Sequence, residues 1–234
     1  MHYCGVVPMQ SSLQLAMLEE VRTPEPPIRL SAIFFEPGPA SAVAAELRTL
    51  GDVVIGVGAP LATPREGRPG RDCDALLLRR GVAPQVATSE TRRLAELLRD
   101  LPVFAPDDQE RDGSVGEGAY HDFPLFETNS DGVFCALQGR RMPAKRHPIG
   151  MQRRIEVLDQ HHVADDGGDL WHRRIEEIEA AAAALCAHRY AVGHACWVGR
   201  PDEGVIVLPG SRLPDSFSGE GVLPPVERVV LPPV

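Results

Sequence analysis

The residues best suited to chemistry in this chain are carboxylates on one helical segment and arginines on another. Glu176 and Glu179 lie three apart in Ile175-Glu176-Glu177-Ile178-Glu179-Ala180. At about 100° per residue, Ile175, Ile178, Ala182 and Cys186 gather on one side of a helix there. Glu179 falls beside that apolar stripe and Glu176 at its margin, whereas Glu177 falls well away and is expected to face solvent. A carboxylate beside apolar surface must find a partner, raise its pKa or hold a cation. Glu176 and Glu179 are therefore candidates for a metal or substrate site; the plain alternative is flanking or solvated helix charge. Arg71, Asp74, Arg79 and Arg80 surround a short predicted helix and could clamp an anionic substrate, or form a solvated helix face. Lys145 precedes another helix, where its ammonium could meet phosphate or simply water.

Other polar groups carry less. His161, His162, Asp165 and Asp166 are close in sequence, and neighbouring side chains rarely converge on one metal, so they read as a polar loop ahead of the last helix. His172 and His188 have no nucleophile motif near them, and the G-x-S-x-G, P-loop and G-x-G-x-x-G patterns are absent. The 24 Lys and Arg residues are outnumbered by 33 Asp and Glu, for a net charge of −9. That argues against a broad basic face for non-specific duplex binding and leaves a local basic patch open. Cys4, Cys73, Cys135, Cys186 and Cys196 are odd in number and lack CxxC spacing. Buried thiols in a reducing cytoplasm fit them better than a disulfide framework or a zinc site. Nothing before Gln10 reads as a signal peptide, and no run approaches the ~20 apolar residues of a membrane span, so no membrane partner is expected.

The elements that must position these residues follow from the apolar runs. Tyr3–Val7, Leu13–Glu19 and Arg29–Glu36 read as strands. Pro37-Gly38-Pro39 stops the third, and Ser41 could cap a helix whose face is Val43, Leu47 and Leu50. Val53–Val57 is a continuous apolar run suited to a buried central strand. Thr63–Gly70 is a polar loop, followed by helices at Cys73–Arg80 and Ser89–Leu101 and an acidic, mobile loop at Pro106–Gly118. A fifth strand is expected at Asp122–Thr128, a helix at Ile149–His161, and a long helix from Leu170 to Ala191 capped by Asp169. Ala195–Val198 and Gly204–Leu208 form a closing hairpin, and a proline-rich tail wraps the surface. The predicted fold is α/β: a mixed sheet in which a three-strand antiparallel meander places its first strand beside a parallel fourth, flanked by helices.

Several local patterns resemble one family, the bacterial and archaeal proteins of unknown function predicted to be RNase-H-like nucleases. They are Val54-Ile55-Gly56-Val57-Gly58-Ala59-Pro60-Leu61, Arg71-Asp72-Cys73-Asp74 with Leu78-Arg79-Arg80-Gly81, and Phe126-Glu127 followed by Ala136-Leu137-Gln138-Gly139, Lys145, Gly150 and Arg154. Glu176-Glu177-Ile178-Glu179-Ala180 is similar to that family's Asp-x-x-Asp-Ala, and Gly199 to Pro209 to its closing strand. The resemblance implies an RNase-H-like domain over residues 1–209, with a helical and loop insertion around 63–120 and a tail at 210–234. It also implies a metal-dependent nuclease that uses Mg²⁺ or Mn²⁺ on nucleic acid. Catalytic roles would fall to Glu127, Glu176 and Glu179, metal ligation to Glu176 and Glu179, and substrate binding to Arg71, Arg79, Arg80 and Lys145. Two positions depart from the pattern: the acids expected on the first strand and after the fourth are Val7 and Gly58. A valine offers no ligand and a glycine only its carbonyl, so the acidic site is degenerate. A non-catalytic RNase-H-like binding or interaction protein is the alternative, and self-association into a homo-oligomer is open.

Overall fold

Apolar strands at the start of the chain build the middle of a sheet, and an alanine-rich helix lies directly on it. The computed structural model describes residues 1–64, 70–106, 112–116 and 118–219. In chain order the first elements are β1 (His2–Pro8), β2 (Leu13–Arg22), β3 (Ile28–Phe34), α1 (Ala40–Leu50) and β4 (Val53–Val57). Next come α2 (Asp72–Arg79), α3 (Ser89–Leu97), β5 (Asp112–Ser114), α4 (Ala119–Asp122), β6 (Leu125–Thr128) and α5 (Ser130–Gln138). The chain continues through α6 (Pro148–Gln160), β7 (Val163–Asp165), α7 (Ile175–Ala191), β8 (Ala195–Arg200) and β9 (Gly204–Pro209). The strands form one sheet in the order β5-β8-β9-β6-β4-β1-β2-β3-β7.

The expected core of that sheet is present. β1, β2 and β3 form an antiparallel meander, and β1 runs parallel to β4 with His2 opposite Val53 and Val6 opposite Val57. β6 lies parallel on the other side of β4, and β8 and β9 form the closing hairpin. Alternation along β1 divides the core: Cys4 and Val6 pack with Val43, Leu47 and Leu94 of α1 and α3, while Tyr3 and Val7 pack on the α7 side. A Cβ on Gly5 would lie 2.0 Å from the Ala180 carbonyl oxygen and 2.3 Å from the Ala184 nitrogen. A Cβ on Gly56 would lie 2.8 Å from the Ala183 oxygen. Two glycines on adjacent strands and a run of alanines thus let helix and sheet backbones approach without intervening side chains. That approach fixes where Glu179, one residue before the run, emerges.

Five expectations need correction. Ser41 does not cap the first helix: α1 starts at Ala40 after Pro39, and Ser41 lies inside it. The long helix starts at Ile175, not Leu170: Asp169 caps only a short 3₁₀ turn, its carboxylate accepting the Trp171 amide at 2.9 Å, and Arg173 and Arg174 are extended. A second N-terminal signal, the Glu177 carboxylate accepting the Arg174 amide at 2.8 Å, sets the true start. The strand expected from Asp122 begins at Leu125, because Ala119–Asp122 is helical and Pro124 has no N–H to give a ladder. Within the acidic loop, Asp112–Ser114 is a strand, with Gly113 opposite Trp197; residues 107–111 and 117, like 65–69 of the preceding polar loop, lie outside the described residues. Lastly, Val163–Asp165 pairs with β3 instead of forming a loop. Of the tail, Leu213 and Phe217 are buried against the domain, and residues 220–234 lie outside the described residues. No described helix is long and apolar enough to cross a membrane.

Candidate functional site

Two carboxylates reach the C-terminal ends of the central strands, and each meets a cation of a different kind. Glu127 stands opposite Val57 in the β4–β6 pairing, one residue before the level of Gly58. Its side chain is 4% exposed and meets Arg71 in a two-pronged pair, with both oxygens 2.6 Å from guanidinium nitrogens. The Leu61 amide donates a third bond at 3.0 Å. Arg71 turns its other edge to Asp74, at 2.9 and 3.0 Å, and is itself 1% exposed. Burial pushes the Glu127 carboxyl up, and Arg71 and the Leu61 amide pull it back. Burial likewise opposes the Arg71 charge, but its bonds to Glu127 and Asp74 more than offset that and hold the guanidinium charged. Each of the three side-chain nitrogens of this arginine donates to a carboxylate inside the protein.

Glu179 is held differently. It emerges from α7 beside Ser130, whose hydroxyl donates to the Glu179 carbonyl at 3.2 Å. The same hydroxyl oxygen would lie 3.1 Å from a Cβ on Gly58, and a Val7 methyl 2.8 Å from it. Val7 therefore fills the space over Gly58, and these two positions, Ser130 and Glu179 form one neighbourhood. The Glu179 carboxylate, 9% exposed, accepts from the Lys145 ammonium at 2.6 Å, and Lys145 is 42% exposed. Burial raises the Glu179 pKa, and Lys145 draws it partly back. Asp131 and Arg154 also act on it. Arg154 is buried, donating at 2.6 Å to Asp131, to the Pro143 and Gly150 carbonyls, and lying over the Phe134 ring.

The remaining predicted site residues scatter. Glu176 is half-buried one helical turn before Glu179. Arg80 is buried and gives its guanidinium to the Pro214 and Leu76 carbonyls at 2.9 and 3.1 Å, while Arg79 is exposed. Glu177, expected to face solvent, is 7% exposed and paired with Arg173 and Arg174 at 3.3 and 3.1 Å. The extended segment before α7 brings those arginines back over it. Asp165 is taken by Arg173 at 2.6 Å, so the His161-to-Asp166 cluster does not converge on one point. Burial pushes the Cys73 and Cys186 thiols up to about 12, which leaves them protonated and unreactive at neutral pH.

The donor set falls short of a two-ion centre. Such ions take six or more oxygens, several of them shared carboxylates. Here Glu179 already holds an ammonium, Glu127 holds a guanidinium, and Val7 and Gly58 supply no side-chain oxygen. Among the described residues, no group of three His, Cys, Asp or Glu side chains is placed to hold a metal ion. Sequence reading missed Ser130, Asp131 and the Lys145–Glu179 pairing. One signal was available: Lys145 is the only lysine among 24 basic residues.

A family described as "Protein of unknown function (DUF429)" matches residues 19–203, and the chain belongs to it. The matched span holds Gly58, Glu127, Lys145 and Glu179 and begins after β1, so Val7 lies ahead of it. No curated protein and no solved structure matches the chain.

Proposed function

From membership of this family and the state of its carboxylates, we propose that the protein is an RNase-H-like binding protein that keeps the cleft of a nuclease without two-metal phosphodiester hydrolysis. The observation that carries this reading is the Lys145 ammonium 2.6 Å from Glu179. An ammonium on that carboxylate supplies the positive charge that a divalent ion would otherwise supply, and the packed Val7 and Gly58 leave no acids to bridge a pair of ions. Glu127 belongs to a closed ion-pair network that ties Leu61 and Arg71, at the start of α2, to β6. A half-exposed lysine beside a carboxylate suits recognition of a phosphate-bearing ligand, nucleic acid included, more than its cleavage.

A metal-dependent nuclease using Glu127, Glu176 and Glu179 is the second reading, and one observation favours it. Lys145 is 42% exposed, so its flexible stem can swing aside and free Glu179 one turn from Glu176. Cleavage assays with Mg²⁺ and Mn²⁺ on single-stranded, duplex and hybrid substrates separate the two. The first reading expects no turnover above a matched mock purification. Robust turnover abolished by Glu179→Ala would replace it with the second.

A further inference from the structure

Between Asp131 and Glu156 the sequence carries Arg140, Arg141, Lys145, Arg146, His147, Arg153 and Arg154 and no acid, in a chain of net charge −9. Much of that charge lines one cavity of about 310 Å³ between the end of α5, the connection to α6 and the outer face of α6. Its size lies at the small end of the range of about 300–1,000 Å³ typical of small-molecule sites. Met142, Pro143, Ile149 and Val157 give it apolar, buried or half-buried wall.

The cations around this wall are unevenly engaged. Glu156 is the single acid of the lining, and both its oxygens are occupied, one by Arg153 at 2.7 Å and the other by Gln152 at 2.8 Å. Among the described residues, the Arg140 side chain has only a 3.4 Å contact with the Gln138 side chain. Arg141 makes no side-chain ion pair among the described residues. Its stem packs over Gly81, where a Cβ would lie 2.4 Å from Arg141 Cδ, and its amide donates to the Ser218 carbonyl at 3.1 Å. Its backbone and stem are thus anchored, and no carboxylate among the described residues meets its guanidinium. His147 Nδ1 accepts the Ile149 amide at 3.3 Å, which leaves Nε2 to carry the proton of the neutral ring as a donor.

Two guanidiniums without carboxylate partners among the described residues, and an imidazole donor beside an apolar wall, match a doubly charged phosphate bonded to a compact organic body. Guanidinium recognises phosphate oxygens in pairs, and the apolar wall covers the remainder. We infer that this cavity binds a phosphate monoester of mononucleotide size, either free or as the 5′-terminal nucleotide of a single strand. Lys145 does not line it, so the inference goes beyond the reading of the Glu179 pair and survives if that reading fails.

Calorimetric titration with AMP, inorganic phosphate, adenosine and a 5′-phosphorylated oligothymidylate tests it. AMP should bind with a dissociation constant below about 1 mM and at least about tenfold more tightly than phosphate or adenosine. Arg140→Ala with Arg141→Ala should weaken AMP at least about tenfold, roughly the loss of one charged hydrogen bond. Arg146→Ala, outside the lining, should leave it unchanged. Competition between the oligothymidylate and AMP would assign the ligand to a strand end, and AMP binding alone to a free nucleotide. Adenosine binding as tight as AMP, no AMP binding, or AMP binding that survives the double variant with its fold intact by circular dichroism would overturn the inference.

Discussion

Glu127 and Glu179 are both glutamates at the ends of central elements, both buried, both paired with a cation at 2.6 Å, yet they are not equivalent. The Glu127 partner is a fully enclosed arginine with Asp74 on its other edge. The Glu179 partner is a single lysine with nearly half its side chain in water. A closed, forked pair of this kind fixes geometry and has no capacity left for a ligand. An open ammonium–carboxylate pair can exchange its cation or accept a second anion. Of the two, only Glu179 is placed to act on anything outside the protein.

Removing the enclosed cation should have the largest effect. Arg71→Met leaves the Glu127 charge buried without a partner and should cost about 3–5 kcal/mol in urea denaturation. Adding Glu127→Gln should recover part of that loss. A cost below about 1 kcal/mol would mean that the Glu127 site is as open as that of Glu179.

The next effect concerns the strand positions beside Glu179. Gly58→Asp places its Cβ 2.8 Å from a Val7 methyl and should destabilise by about 1–3 kcal/mol. Combining it with Val7→Ala should remove the clash, and the thermal midpoint should rise again. No recovery would show that packing between these two residues does not govern position 58.

The fold was more legible in the sequence than the site. Glycine-broken apolar runs located β1, β4 and their parallel pairing, since a continuous apolar strand must be covered on both faces. Val7 and Gly58 could be singled out as departures from a pattern. The ion pairs could not, because Arg71 and Glu127 are 56 residues apart and Lys145 and Glu179 are 34 apart. Helical periodicity gave Glu179 its position near the apolar side but misplaced Glu177, whose burial depends on arginines in the non-helical segment just before α7. Two competing N-terminal signals, at Asp169 and Arg174, also hid the start of that helix.

The smallest effects should appear at Lys145. Lys145→Met should change stability by less than about 1 kcal/mol, because the lysine is substantially solvated. Its signature is in pH dependence. Burial raises Glu179 above the ordinary value of 4.5, so the folded protein holds this proton more tightly than the unfolded chain. The stability it contributes is full below 4.5 and is lost as pH rises through the raised folded value. Denaturation across a pH series should show Glu179→Gln lacking that decline and Lys145→Met extending it to higher pH. Identical pH profiles for all three proteins would mean that the lysine does not govern this carboxylate.

The most direct measurement is a calorimetric titration of the wild-type protein with Mn²⁺, run beside Lys145→Met and Glu179→Gln. If the ammonium holds the cation position at Glu179, the wild type shows no saturable heat below about 1 mM Mn²⁺, the range of weak binding near −4 kcal/mol. Lys145→Met should then acquire weak binding that Lys145→Met with Glu179→Gln lacks. Tight, stoichiometric Mn²⁺ uptake by the wild type, lost in Glu179→Gln, would contradict the account.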